Sequence, residues 1–160
     1  MSLRPKRSVG SLLLPKARQN ASTILLDTNV VIRAQIDREL TPAARAAIEA
    51  AQADNGILVS VVSAWEVGLL ARNRQSPTGR LFLPDVEVWF ANVMAAPGVR
   101  PAPMNHQIAL AAWALPEPIH GDPADRLLIA VARHLDVPLV TRDRLILAYA
   151  EAGHVKAIAG

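Results

Sequence analysis

Cysteine is absent from this 160-residue chain. That excludes a disulfide framework, a thiolate zinc site and a cysteine nucleophile, and it fits a reducing cytoplasm, where the chain is expected to work. Aromatic residues are scarce, at three Trp, two Phe and one Tyr, which leaves the core to aliphatic side chains. No uncharged apolar run approaches the ~18 residues of a membrane span. The early Leu12-Leu13-Leu14 is cut off by Pro15 and Lys16, so neither a spanning helix nor a secretory signal is expected. Internal repeats, a Gly-rich phosphate loop and a dividing linker are also lacking. With 51% hydrophobic residues, one domain with an ample core is the default.

Positive charge is present but unevenly placed. Residues 1–22 hold Arg4, Lys6, Arg7, Lys16 and Arg18 and no acid, so of 17 basic and 14 acidic residues the rest of the chain keeps 12 and 14. The high pI belongs to this tail, which is expected to be a disordered extension over 1–22, followed by a folded domain over 23–160. A basic tail can attract nucleic acid electrostatically or can be mere decoration. In the folded part 11 of the 12 basic residues are Arg. Arg suits bidentate phosphate contacts, but a GC-rich genome gives the same bias, and that reading is preferred.

Four carboxylates each stand where an apolar run stops and a helix-like segment starts: Asp27, Glu66, Asp125 and Asp143. Thr23 to Leu26 is of strand length, and Asp27-Thr28-Asn29 interrupts it before Val30, Val31, Ala34 and Ile36 take up helical spacing. Ile57 to Val62 is β-branched and ends at Ser63-Ala64-Trp65-Glu66, which places Glu66 in a first helical turn. Asp122-Pro123-Ala124-Asp125 opens a helix through Leu127, Leu128, Val131 and Leu135. Val137 to Thr141 reads as a buried strand, and Arg142-Asp143 precedes another helix. In an open parallel sheet such junctions gather at one edge, where a shared pocket would need a divalent cation.

Each position also has a purely structural reading. Ser63 and Glu66 have the spacing of a capping box, Asp122 that of an N-cap with Asp125 favouring the helix dipole, and Asp27 and Asp143 that of turn residues. Their conjunction favours a site. Two unit charges ~4 Å apart repel by roughly 4 kcal/mol at an effective dielectric of 20, so such a cluster calls for a cation or raised pKa values.

The ordered segments Leu26-Asp27-Thr28-Asn29, Ser63-Ala64-Trp65-Glu66, Asp122 to Ala130 and Leu139-Val140-Thr141-Arg142-Asp143 resemble the motifs of PIN-domain ribonucleases, in particular the VapC-type toxins of bacterial toxin–antitoxin pairs. The resemblance runs from about Thr23 to Ile158. It implies a PIN-like α/β/α sandwich around a mainly parallel sheet of four to five strands, and endoribonuclease activity dependent on one or two Mg²⁺ or Mn²⁺ ions. It also implies RNA as substrate, a cognate antitoxin partner and a homodimer. Carried over by position, Asp27, Glu66, Asp125 and Asp143 are the catalytic set, with Asp27, Asp125 and Asp143 as metal ligands and Glu66 a ligand or an orienter of the attacking water. Thr28, Asn29, Asp122 and Thr141 are accessory, Arg126 and Arg142 outer or phosphate contacts. Ala124 stands where an aromatic, and Gly121 where a basic residue, is common in one subgroup. An antitoxin is expected to cover the site with a cation among the carboxylates, over an apolar groove of Val30, Val31 and Ile36 with Val67, Leu69 and Leu70.

Other classes fit less well. A receiver domain needs an acidic pair after its first strand, and a haloacid-dehalogenase-type phosphatase needs a second Asp where Asn29 stands. A non-catalytic binding module on a degenerate PIN scaffold is the alternative. Of the four histidines only His120, near Asp122, invites a functional role. The remaining scaffold is expected to comprise a helix over Pro42 to Ala51 capped by Thr41, a short extended piece at Leu81-Phe82-Leu83, and a helix around Val86 to Val93. A short strand at Val99 to Pro101 and a helix from Gln107 to Ala114 complete it, with Trp65, Trp89 and Trp113 buried.

Overall fold

Among the described residues five three-residue strands form one sheet. The computed structural model describes residues 22–36, 39–119 and 121–160. The strands are β1 (Ile24–Leu26), β2 (Ile57–Val59), β3 (Val99–Pro101), β4 (Leu139–Thr141) and β5 (Ala157–Ala159), in spatial order β3-β2-β1-β4-β5. Every pairing is parallel, with Leu26 opposite both Val59 and Val140. Parallel neighbours need crossovers, and helices supply them: α1 (Thr28–Gln35), α2 (Pro42–Ala53), α3 (Val61–Ala71), α4 (Pro77–Arg80), α5 (Val86–Ala95), α6 (His106–Trp113), α7 (Pro123–Leu135) and α8 (Arg144–Glu151).

Side chains alternate across the sheet, which builds a core on each face. Leu25, Leu58 and Leu139 pack with Ile108 of α6, Leu128 and Val131 of α7 and Ile146 of α8. Ile24, Leu26, Ile57, Val59 and Val140 pack instead with Val30 and Val31 of α1, Ala44 and Ala51 of α2 and Val93 of α5. The result is the expected α/β/α sandwich, its sheet wholly rather than mainly parallel. Each fully buried Leu, Ile or Val contributes on the order of 1.5–3 kcal/mol. Helix starts follow local chemistry. Thr41 caps α2 with its hydroxyl 3.1 Å from the Ala44 amide, and Asp122 caps α7 at 2.8 Å from the Ala124 amide, each before a Pro that lacks the orphan N–H.

Several expectations fail for local reasons. The second strand ends at Val59, because Ser60 caps α3 (its Oγ is 3.2 Å from the Val62 amide) and pulls Val61 and Val62 into the helix. Glu66 is thus in the second turn of α3. Leu81 to Leu83 is no extended piece but a turn that continues α4 and seats Phe82 in a satellite core with Ile32 and Val67. Trp89 is half-buried, edge-on to Phe82 with ring centres 4.8 Å apart, but Trp65 and Trp113 are 58% and 81% exposed. Asp125 follows no strand at all, since α6 and a loop precede α7. The basic segment 1–21 and His120 lie outside the described residues. Among the described residues no helix is long and apolar enough to cross a membrane.

Candidate active site

Strand order fixes where a site can form. The chain runs β1 to β2 to β3 on one side of β1 and returns to place β4 on the other, so the sheet has its switch point between β1 and β4. Crevices in open α/β sheets open there, beyond the carboxyl ends of the strands. Asp27 leaves the end of β1; Thr141 ends β4 and Asp143 follows it.

Beyond this edge lies a pocket of about 670 Å³ lined by Asp27, Glu66, Asp125 and Asp143, with Thr28 and Asn29 on its wall. All four carboxylates of the sequence-derived set therefore share one pocket, Asp27 and Asp143 from just before α1 and α8, Glu66 from α3 and Asp125 from α7. Asp122 does not line it, being the α7 cap. The same wall carries Arg33, Arg142 and Arg144.

Two hydroxyls hold the buried acids. Asp27 is only 6% exposed, and the Thr141 hydroxyl donates to its Oδ2 at 2.6 Å while accepting from the Asp143 amide at 3.0 Å. Thr141 thereby ties the acid of β1 to the acid after β4. On the other side Thr28 donates a short hydrogen bond to Glu66 Oε2, and its Oγ1 lies 2.9 Å from Ser63 Oγ. A hydroxyl has one proton to give, so with the Thr28 proton on the carboxylate, Ser63 supplies the donor to Thr28. Ser63 is fully buried inside α3 and is not its cap, which overturns the capping-box reading. Asp143 caps α8 with Oδ1, 2.7 Å from the Leu145 amide and 3.1 Å from that of Ile146.

Burial sets the electrostatics. It is the largest influence on Asp27 and pushes its carboxyl pKa up; the charge of Asp143 adds to this, while Thr141 and the amides of Thr28 and Asn29 pull it back. Glu66 is raised first by burial and further by the charges of Asp27 and Asp122, against the hydroxyl of Thr28. Acids that resist their own ionisation call for a positive partner.

The donors on offer are carboxylate, hydroxyl and amide oxygens, a hard set that suits Mg²⁺ or Mn²⁺ and not a thiophilic metal. Among the described residues no three His, Asp or Glu side chains are drawn together tightly enough to clasp one ion. Mg²⁺ keeps most of its waters and binds through one or two carboxylates, so the spread set still fits.

The remaining expectations divide. Arg126 is turned to structure, its guanidinium donating to the carbonyls of Ala112 at 3.1 Å and Trp113 at 2.9 Å. Val30, Val31 and Val67, expected in an apolar groove, are core, whereas Leu69 and Leu70 are exposed. Arg33 and Arg144 escaped the sequence reading. For Arg33 a signal existed: Asn29, Ile32, Arg33 and Ile36 fall at i, i+3, i+4 and i+7, one helical face, and all four line the pocket.

Comparison with known proteins fits this geometry. The PIN domain family model matches residues 24–152. Ribonuclease VapC22 of Mycobacterium tuberculosis is 35% identical over 124 residues, which are 77% of this chain and 88% of that protein. The chain belongs to the PIN-domain family, as a VapC-type member. Two solved structures share the fold at low identity. The crystal structure of FitAcB from Neisseria gonorrhoeae superposes with a TM-score of 0.54 at 18% identity, covering 86% of this chain and 97% of that one. That of FitAB bound to an IR36 DNA fragment gives 0.54 at 19%, covering 85% and 94%.

Proposed function

We propose that this chain is a divalent-metal-dependent endoribonuclease, the toxin of a toxin–antitoxin pair acting in the cytoplasm, with residues 23–160 as the catalytic domain and 1–22 as a basic extension. One observation carries the reading: four carboxylates from four separate segments and three arginines line a single pocket at the switch point of a parallel sheet. Kinship with a protein named as a ribonuclease supports the choice of RNA.

Asp27 and Asp125 are the primary holders of Mg²⁺ or Mn²⁺, directly or through water, and Asp143 extends the set toward a second ion. When bound, the cation acidifies a water and neutralises charge growing on the phosphate. Glu66, its pKa raised by burial and its Oε2 fixed by Thr28, is suited to accept the proton of the attacking water. Thr141 keeps Asp27 and Asp143 in register, and Asn29 and the pocket arginines face the substrate. Outside the domain the partners are a cognate antitoxin that covers the pocket and a second copy of the chain.

The test is cleavage of a fluorogenic RNA by purified protein with Mn²⁺, Mg²⁺ or EDTA. Activity with either cation and none in EDTA is expected. Cleavage that persists in EDTA removes the metal from the mechanism, and no cleavage under any condition leaves the non-catalytic binding module.

A further inference from the structure

We propose that Arg72 and Arg74, on the loop that leaves α3, hold the backbone of the RNA as it runs out of the carboxylate pocket, so that the substrate track crosses α4. The inference deepens the ribonuclease reading and rests on it.

Charge comes first. Between Glu66 and Asp85 the chain has no acid and three arginines, Arg72, Arg74 and Arg80. Among the described residues none of the three side chains is engaged in an ion pair or hydrogen bond, and all three are exposed. A second pocket, of about 390 Å³, is lined by Arg72 and Arg74 with Gly68, Gly79 and Phe82, and no carboxylate lines it.

Continuity comes next. The two pockets share α4, with Pro77, Thr78 and Leu81 on the carboxylate side and Gly79 and Phe82 on the arginine side. One helical turn is all that separates them, about 10–12 Å across with its side chains. Helix α3 is split in the same way, with Glu66 and Leu70 facing the first pocket and Gly68 and Arg72 the second. A strand whose scissile phosphate sits among the carboxylates therefore needs only a few nucleotides to reach a pocket whose charged lining is Arg72 and Arg74.

The ridge is built to hold its shape. A Cβ on Gly79 would lie 2.0 Å from the Asn73 carbonyl oxygen, so only glycine lets α4 press against the end of α3. Ser76 locks the loop, its hydroxyl donating to the Asn73 carbonyl at 2.8 Å and accepting from the Gly79 amide at 2.9 Å. Arg72 and Arg74 thus project from an ordered base, which lowers the entropy lost when a phosphate is held.

The test measures binding of a labelled single-stranded RNA of about 12 nucleotides in EDTA, where the substrate is not consumed. Each phosphate contact contributes about 0.7 to the log–log salt slope on a single strand, so Arg72→Ala with Arg74→Ala should flatten the slope by about 1.4. Affinity should fall roughly tenfold at low salt, and the Lys pair should restore most of it. Full affinity with an unchanged slope in the Ala pair overturns the track. Both side chains are exposed, so a melting temperature held within about a degree certifies the fold. Cleavage with Mn²⁺ is scored separately on the wild type, so failure of the ribonuclease reading and failure of the track are different results.

Discussion

The two ends of the sheet treat charge in opposite ways. At the carboxyl ends of the strands Asp27 is buried and Glu66 half-buried, beside two further acids. At the opposite end lies a larger cavity, about 890 Å³, lined by Arg133, Asp136, Glu151 and Lys156 among apolar residues. There the charges stay in water: Lys156 Nζ meets Asp136 Oδ1 at 2.8 Å, with the two side chains 62% and 74% exposed. Size does not mark the functional end. Like charges taken out of water cost stability, and a fold keeps them where chemistry uses them. Exposed, paired charges cost little and contribute little.

Asp27→Asn should break that asymmetry most severely. The proposed metal donor is lost while the amide still accepts from Thr141, so cleavage should fall by at least a thousandfold in a Mn²⁺ assay. Stability in metal-free buffer should hold or rise. Because burial raises the Asp27 pKa above 3.8, the folded protein binds a proton that the unfolded chain releases, and wild-type stability declines as pH climbs through that window. The substitution removes this decline, so the mutant's advantage should grow with pH and level off above the folded pKa, at roughly 2–4 °C of melting temperature per kcal/mol relieved. A mutant less stable than wild type at pH 8 would mean that Asp27 is held as a structural anion.

At the second acid, Glu66→Gln keeps the acceptor for Thr28 and loses the proposed base. Activity should drop about a hundredfold with little change in stability. Full activity would return Glu66 to a structural role.

The two serines of α3 sharpen the contrast on a smaller scale. Ser63→Ala removes the donor behind Thr28, which should cost on the order of 1 kcal/mol and loosen Glu66, lowering kcat severalfold. Ser60→Ala removes the true cap and should also cost about 1 kcal/mol, with kcat retained. If the two variants lose activity equally, the Ser63–Thr28–Glu66 chain is not what orients the acid.

That pair also shows where the sequence was legible. Asp27 and Asp143 could be placed because each ends an apolar run next to a helix start, and Asp122 because a Pro follows it at the head of a helical pattern; the sandwich itself was implied by the resemblance to PIN-domain proteins. The start of α3 was not, because Val61 and Val62 prolong a β-branched run across a cap that only Ser60 marks, and propensity pointed the wrong way. Strand β5 went unmarked since Ala157-Ile158-Ala159 is short and small. Periodicity gives a face without saying which way it turns, which is why Trp65 and Trp113 were expected inside. Arg33 and Arg144 became visible only when the strand order brought α1 and α8 to the same edge.

The smallest effect is expected at the opposite end. Lys156→Ala deletes the ion pair with Asp136, 2.8 Å long but largely in water. Its Coulomb energy is screened and is offset by the entropy of fixing a lysine, so the loss should lie at about 0.2–1 kcal/mol, shrinking as salt is raised. Asp136 also ends α7 with a left-handed φ of 55°, a conformation set by the backbone and not by the lysine, so the helix end should keep its shape. Cleavage should be unaffected, because the pair lies at the far end of the sheet from Asp27. A loss of activity comparable with that of Ser63→Ala, at unchanged melting temperature, would show that the two ends are coupled and that the division of labour between them is wrong.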